Sequence, residues 1–176
     1  MAKMLILRGT RGFLPDEQGK NRNWDKGALH EQAALEYARR RGYVGSVLDI
    51  SGDSNKGDRA TAPQTLLAET TFRGDDSIRG FYGFSGGGYD VYWVLQALKD
   101  QEACIKRIDL VVVLGAPERP KAHLEKTAYK GAHWDLVYRV DPHTNAPFVP
   151  KGVKDAHMFG PEALLWELDH PKKKSP

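Results

Sequence analysis

The chain has 176 residues, 40% of them hydrophobic and 28% charged, with 26 Lys and Arg against 23 Asp and Glu. That length suits one domain burying roughly two-thirds of the surface exposed when unfolded, and no stretch approaches the ~20 apolar residues of a membrane span. Lys172, Lys173 and Lys174 carry the whole basic excess, so the body over 1–170 is neutral. The tail over 171–176 is short, basic and expected to be disordered, which argues against nucleic acid as a partner.

Met4 to Arg8 reads as an apolar first strand, and the residues before it are too few for a secretory signal. The lone Cys104 can form no internal disulfide and is expected as a small buried hydrophobe. Both features point to a reducing, cytoplasmic compartment. A loop rich in glycine and charge follows from Gly9 to Gly27. Ala28 to Arg41 has Leu29, Ala33 and Tyr37 at helical spacing, a basic last turn suited to the helix dipole, and Gly42 as a stop.

Ser46 to Ile50 is expected as a second buried strand, followed by a polar loop from Ser51 to Ala62. Pro63 suits a first helical position, with the helix continuing over Gln64 to Phe72. Ile78 to Phe84 is the third strand. The helix after it spans Gly87 to Cys104, with Val91, Val94, Leu95 and Leu98 on one face. Ile108 to Leu114 is a continuous apolar run typical of a central parallel strand covered on both sides. His133 to Val140 is a fifth strand and Pro161 to Leu168 a closing helix. Strands alternating with helices imply a three-layer αβα sandwich around a mostly parallel five-stranded sheet.

Ligands in such sheets bind beyond the carboxyl ends of the strands. Between the third strand and its helix lies Gly83-Phe84-Ser85-Gly86-Gly87. G-x-S-x-G at a strand-to-helix turn describes a nucleophile elbow, in which a strained serine exposes its hydroxyl above a helix N-terminus. A side chain at Gly83 or Gly87 would collide with neighbouring backbone at so tight a corner. After the first strand comes Arg8-Gly9-Thr10, after the fifth Asp141-Pro142-His143, and before the last helix Asp155-Ala156-His157. Nucleophile, acid and histidine thus follow in the chain order Ser…Asp…His.

A serine hydroxyl attacks only when a base takes its proton, a task suited to histidine, and an aspartate behind the imidazole fixes its tautomer. Ser85, His157 and Asp141 take those roles, with the amides of Gly86 and Thr10 as oxyanion donors. His143 is the rival base, but two residues from Asp141 it is poorly placed to lie in line with that acid and Ser85. Asp155 is the rival acid. Asp90, one turn into the elbow helix, is expected to serve the helix dipole. His30 and His133 are expected to be structural, and Tyr92 and Trp93 to be packing. Arg8 and Arg11 either bind an anionic substrate group or tie down the long loop. No ligand spacing such as H-x-x-x-H points to a metal.

These segments resemble a compact α/β-hydrolase of the cutinase-like kind, without a cap domain. Arg8-Gly9-Thr10 is similar to the family's Arg-Gly-Ser/Thr segment, whose hydroxyl residue contributes to the oxyanion hole. Gly83 to Gly87 resembles its elbow, although cutinases usually carry glutamine where Gly86 stands. Cutinases are also secreted and disulfide-bonded, unlike a chain with one cysteine. The resemblance implies a serine esterase acting on a small-molecule ester through an acyl-enzyme, without cofactor or metal. Two other readings stay open: a flavodoxin-like module whose glycine-rich turn holds a phosphate or nucleotide, and a hydrolase fold that has lost catalysis and serves in protein interaction. The oligomeric state is not legible in the sequence.

Overall fold

The computed structural model describes residues 1–9, 24–50, 61–115, 121–137 and 160–171. In chain order the elements are β1 (Lys3–Leu7), α1 (Trp24–Arg40), β2 (Val44–Val47), α2 (Pro63–Gly74), β3 (Ile78–Phe84), α3 (Gly86–Leu98), α4 (Glu102–Ile105), β4 (Leu110–Leu114), α5 (Lys121–Thr127), β5 (His133–Val137) and α6 (Gly160–Asp169). The five strands form one sheet in the order β2-β1-β3-β4-β5. Every neighbouring pair is parallel, so the sheet is wholly rather than mostly parallel. The three-layer α/β sandwich expected from the sequence is the observed architecture.

Successive strand residues point to opposite faces, and both faces here are covered. Leu5, Leu7, Phe81, Val111 and Val113 pack with Ala68 and Phe72 of α2 and with Val91, Val94, Leu95 and Leu98 of α3. Met4, Ile6, Tyr82, Leu110, Val112 and Leu114 pack with Ala34, Tyr37 and Ala38 of α1 and Leu164 of α6. This double coverage explains why β4, Leu-Val-Val-Val-Leu, is buried at every position. It also explains how α3 forms despite opening on three glycines. Those glycines cost about 0.5–1 kcal/mol each, whereas each fully buried aliphatic side chain of the helix contributes about 1.5–3 kcal/mol.

The helix expected to run to Cys104 ends at Leu98, and a separate short helix, α4, carries Cys104. An unbroken 18-residue helix would be about 27 Å long, while the five-residue strand it must return to spans only about 17 Å. The chain therefore turns, with the Gln101 amide donating to the Leu98 carbonyl at 2.9 Å. Cys104 is half-buried rather than buried, packing at the margin of the core. β2 runs over Val44–Val47 rather than 46–50, paired with Lys3–Ile6 of β1, and as an edge strand it is exposed to half-buried rather than buried. α5 has no counterpart among the expected elements; among its described side chains Leu124 enters the core. Among the described residues no helix is long and apolar enough to cross a membrane.

Candidate active site

The sheet register brings three strand ends level. Leu7 of β1 lies opposite Gly83, and Phe84 of β3 lies opposite Leu114 of β4. The Ser85 amide extends the ladder by one rung, donating to the Leu114 carbonyl at 2.8 Å. There the chain reverses. Ser85 adopts φ 55° and ψ −119° and is the only non-glycine residue with positive φ among those described. Such a conformation costs about 1–3 kcal/mol and persists only where the surroundings impose it.

The surroundings are main chain on both sides. A Cβ at Gly83 would stand 2.3 Å from the Gly87 carbonyl oxygen, and one at Gly87 would stand 2.3 Å from that of Leu7. Both glycines are therefore obligatory, as the motif predicts. Ser85 is also the N-cap residue of α3. A serine there ordinarily folds its hydroxyl back onto the first-turn amides, yet Ser85 makes no such side-chain bond. Its carbonyl instead accepts from the amides of Gly88 and Tyr89 at 3.0 and 3.3 Å. The hydroxyl is thus not used as the helix cap.

The main chain leaving β1 runs beside this serine. A Cβ built at Gly9 would lie 3.4 Å from the Ser85 Cβ and 3.0 Å from the Phe84 carbonyl oxygen. The preceding residue, Arg8, is held by the side chain of Gln64 in α2. The Arg8 amide donates to Gln64 Oε1 at 3.0 Å, and Gln64 Nε2 donates to the Arg8 carbonyl at 2.9 Å. Gln64 Nε2 also donates to Asp90 Oδ2 in α3 at 2.8 Å. Gln64 and Asp90 are 1% and 0% exposed, so this bond lies within the protein, where a hydrogen bond to a carboxylate contributes about 1.5–3 kcal/mol. The Arg8 guanidinium reaches Glu31 of α1 and Asp49 beyond β2 at 3.3 and 3.4 Å. These contacts are to a helix and to the segment after β2; the loop after Gly9 lies outside the described residues.

On the other face of the sheet, His30 of α1 sits edge-on to Phe84, ring centroids 4.8 Å apart. Its Nε2 is 3.4 Å from Glu162 Oε1 in the first turn of α6. The start of α6 is thereby linked through one imidazole to the residue before Ser85. Tyr82, two positions further back along β3, is fully buried, and its hydroxyl has no hydrogen-bond partner among the described residues. Burial pushes that hydroxyl well above its usual pKa, with Glu162 and Tyr37 adding to the rise. It is a neutral group at any physiological pH.

Of the residues singled out in the sequence, Ser85 stands at the strained turn and Gly86 is buried in the first turn of α3. Thr10, Asp141 and His157 lie outside the described residues, as do the rivals His143 and Asp155 and the loop residue Arg11. Asp90, expected to serve the helix dipole, is fully buried and accepts a hydrogen bond from Gln64. Gln64 itself has no role in the sequence reading. A signal existed for both, since Gln64 precedes the buried Ala68 and Phe72 by four and eight residues, and Asp90 precedes Val94 by four. A polar residue on a buried stripe must find a partner inside.

A groove of about 560 Å³ lined by Met1, Leu35, Arg39, Tyr43 and Val44 lies at the opposite end of the sheet, by the amino ends of β1 and β2. In parallel sheets, ligands meet the carboxyl ends, where Ser85 stands. Among the described residues no cluster of three or more His, Cys, Asp or Glu side chains is placed to hold a metal ion. Comparison with protein-family models, curated proteins and solved structures gives no match.

Proposed function

We propose that this chain is a serine hydrolase cleaving carboxylic esters of small or exposed acyl groups, with Ser85 forming the acyl-enzyme. The Ser85 oxygen attacks the ester carbonyl while His157 takes its proton. The tetrahedral oxyanion is held by the amides of Gly86 and Thr10, and Asp141 orients His157. Collapse breaks the bond to the alcohol, which leaves with the proton from His157. A water, deprotonated by the same imidazole, then attacks the acyl carbon; the acid departs and Ser85 regains its proton. No cofactor enters. The fold reading that goes with this is a compact α/β-hydrolase.

The observation that carries the proposal is the main chain of Ser85. A non-glycine residue strained at a strand-to-helix turn, between two glycines that cannot be replaced, is what a nucleophile elbow requires. The close approach of Gly9 to Ser85 supports an oxyanion donor from the segment after β1. The contact of Glu162 with His30, and of His30 with Phe84, supports His157, which precedes the α6 start at Gly160 by three residues in the chain. The free thiol of Cys104 fits a cytoplasmic setting.

The strand order supports a second reading. The sequence 2-1-3-4-5 is also that of flavodoxin-like sheets, which hold a phosphate-bearing ligand at the strand ends. Such a module has no use for strain at a serine whose hydroxyl leaves its own helix uncapped, so the hydrolase reading is preferred. A panel of chromogenic acyl esters tests it. The wild-type protein is expected to turn over short-chain esters, and Ser85→Ala to lose about a thousandfold or more of that rate. No turnover of any ester by the wild type contradicts the proposal.

A further inference from the structure

We propose that Gln64 is a positioning residue for the reaction at Ser85: hydrogen-bonded to the buried Asp90, its amide fixes the main chain of Arg8 and so the Gly9 segment that borders the serine. This inference rests on the serine-hydrolase reading. Oxyanion donors work only when held near their productive geometry, within roughly 0.5 Å, and a segment leaving a strand end is not held there by the sheet. The Gln64 side chain stands in for a neighbouring strand, bonding both the amide and the carbonyl of Arg8.

The Arg8 carbonyl can only accept, so the Gln64 nitrogen faces it, and Asp90 Oδ2 takes the second hydrogen of that nitrogen. The Gln64 oxygen is then left for the Arg8 amide. Because Asp90 belongs to α3, the helix that begins at the nucleophile, and Gly9 abuts Ser85, the clamp sets the β1 exit against the elbow itself. A pair serving stability alone has no need to converge on the one residue ahead of the segment that borders the serine.

The experiment follows hydrolysis of p-nitrophenyl acetate by the full chain, with circular dichroism to establish folding. Gln64→Met keeps the side-chain volume and removes the clamp; it is expected to lower kcat about 100-fold with KM changed less than about threefold. Gln64→Glu supplies a second reading should the Met variant not fold. In its protonated form the introduced carboxyl still accepts from the Arg8 amide and donates one of the two hydrogen bonds the amide nitrogen gives, whereas the ionised form presents only acceptors to Asp90 and the Arg8 carbonyl. The rate of this variant relative to wild type is therefore expected to fall as pH rises. Unchanged kcat in the folded Met variant, or a pH-independent ratio for the Glu variant, overturns the inference while leaving an active wild type in place. A wild type that neither hydrolyses the ester nor is labelled by a fluorophosphonate overturns the hydrolase reading, and this inference with it.

Discussion

Gly87 and Leu7 meet main chain to main chain: a single carbon added to Gly87 would come within 2.3 Å of the Leu7 carbonyl oxygen and 2.7 Å of that of Arg8. The first turn of α3 is thus pressed against the exit of β1. The strained serine and the strand end beside it form one rigid unit, since neither can move without displacing the other's backbone.

Gly87→Ala and Gly83→Ala should each destabilise the protein by about 3 kcal/mol or more, because the clashing atoms are backbone and cannot rotate away. Gly74→Ala is the control. No atom lies within 4 Å of a Cβ there, so the change should stabilise slightly, by about 0.5 kcal/mol. Urea unfolding of the three variants checks both directions.

Ser85→Gly and Ser85→Ala both remove the hydroxyl, but only glycine relieves the strain. Strain of about 1–3 kcal/mol, set against the greater freedom glycine gives the unfolded chain, leaves Ser85→Gly more stable than Ser85→Ala by about 1 kcal/mol. Equal midpoints in denaturant would mean that the turn is not strained at this residue.

The sheet and the tight turn at Ser85 were legible because their causes are local. A run such as Leu110 to Leu114 with no polar residue fits only a strand covered on both faces, and glycines two residues on either side of a serine mark a tight corner. The break between α3 and α4 was not legible, because the distance back to β4 is set by the sheet rather than by the helix's own residues. The same holds for the Gln64–Asp90 bond, whose partners are 26 residues apart. Each looks unremarkable alone, and only the packing of α2 on α3 brings them together. The structural role expected for His30 is seen in its packing on Phe84, yet its approach to Glu162 needed α6 in place beside α1.

The acid and base are separable by substitution. Asp141→Asn should lower kcat by about 10⁴-fold by favouring the wrong imidazole tautomer, whereas Asp155→Asn should leave it within about tenfold. His157→Ala should match the loss in Ser85→Ala, because residues acting as one unit are not additive, while His143→Ala should not. Steady-state ester kinetics decide between the pairs, and a large loss at Asp155 or His143 instead would reassign the role.

Alkaline stability should depend on Tyr43. Burial, reinforced by the 2.5 Å hydrogen bond its hydroxyl donates to Asp109, pushes its pKa up to about 12. The folded protein then holds a proton that the unfolded chain releases near pH 10, so this contribution is complete below pH 10 and is lost as pH rises towards about 12. Tyr43→Phe should flatten that part of the stability profile, measured by urea unfolding from pH 8 upward. An unchanged slope would contradict the raised pKa of Tyr43.

Treating the purified chain with a fluorophosphonate and reading the adduct by intact and peptide mass tests most directly whether Ser85 is an activated nucleophile. The expected result is one adduct per chain, carried by the peptide containing Ser85, abolished in Ser85→Ala and strongly reduced in His157→Ala. No adduct on the folded wild type, or an adduct that survives Ser85→Ala, would contradict the account.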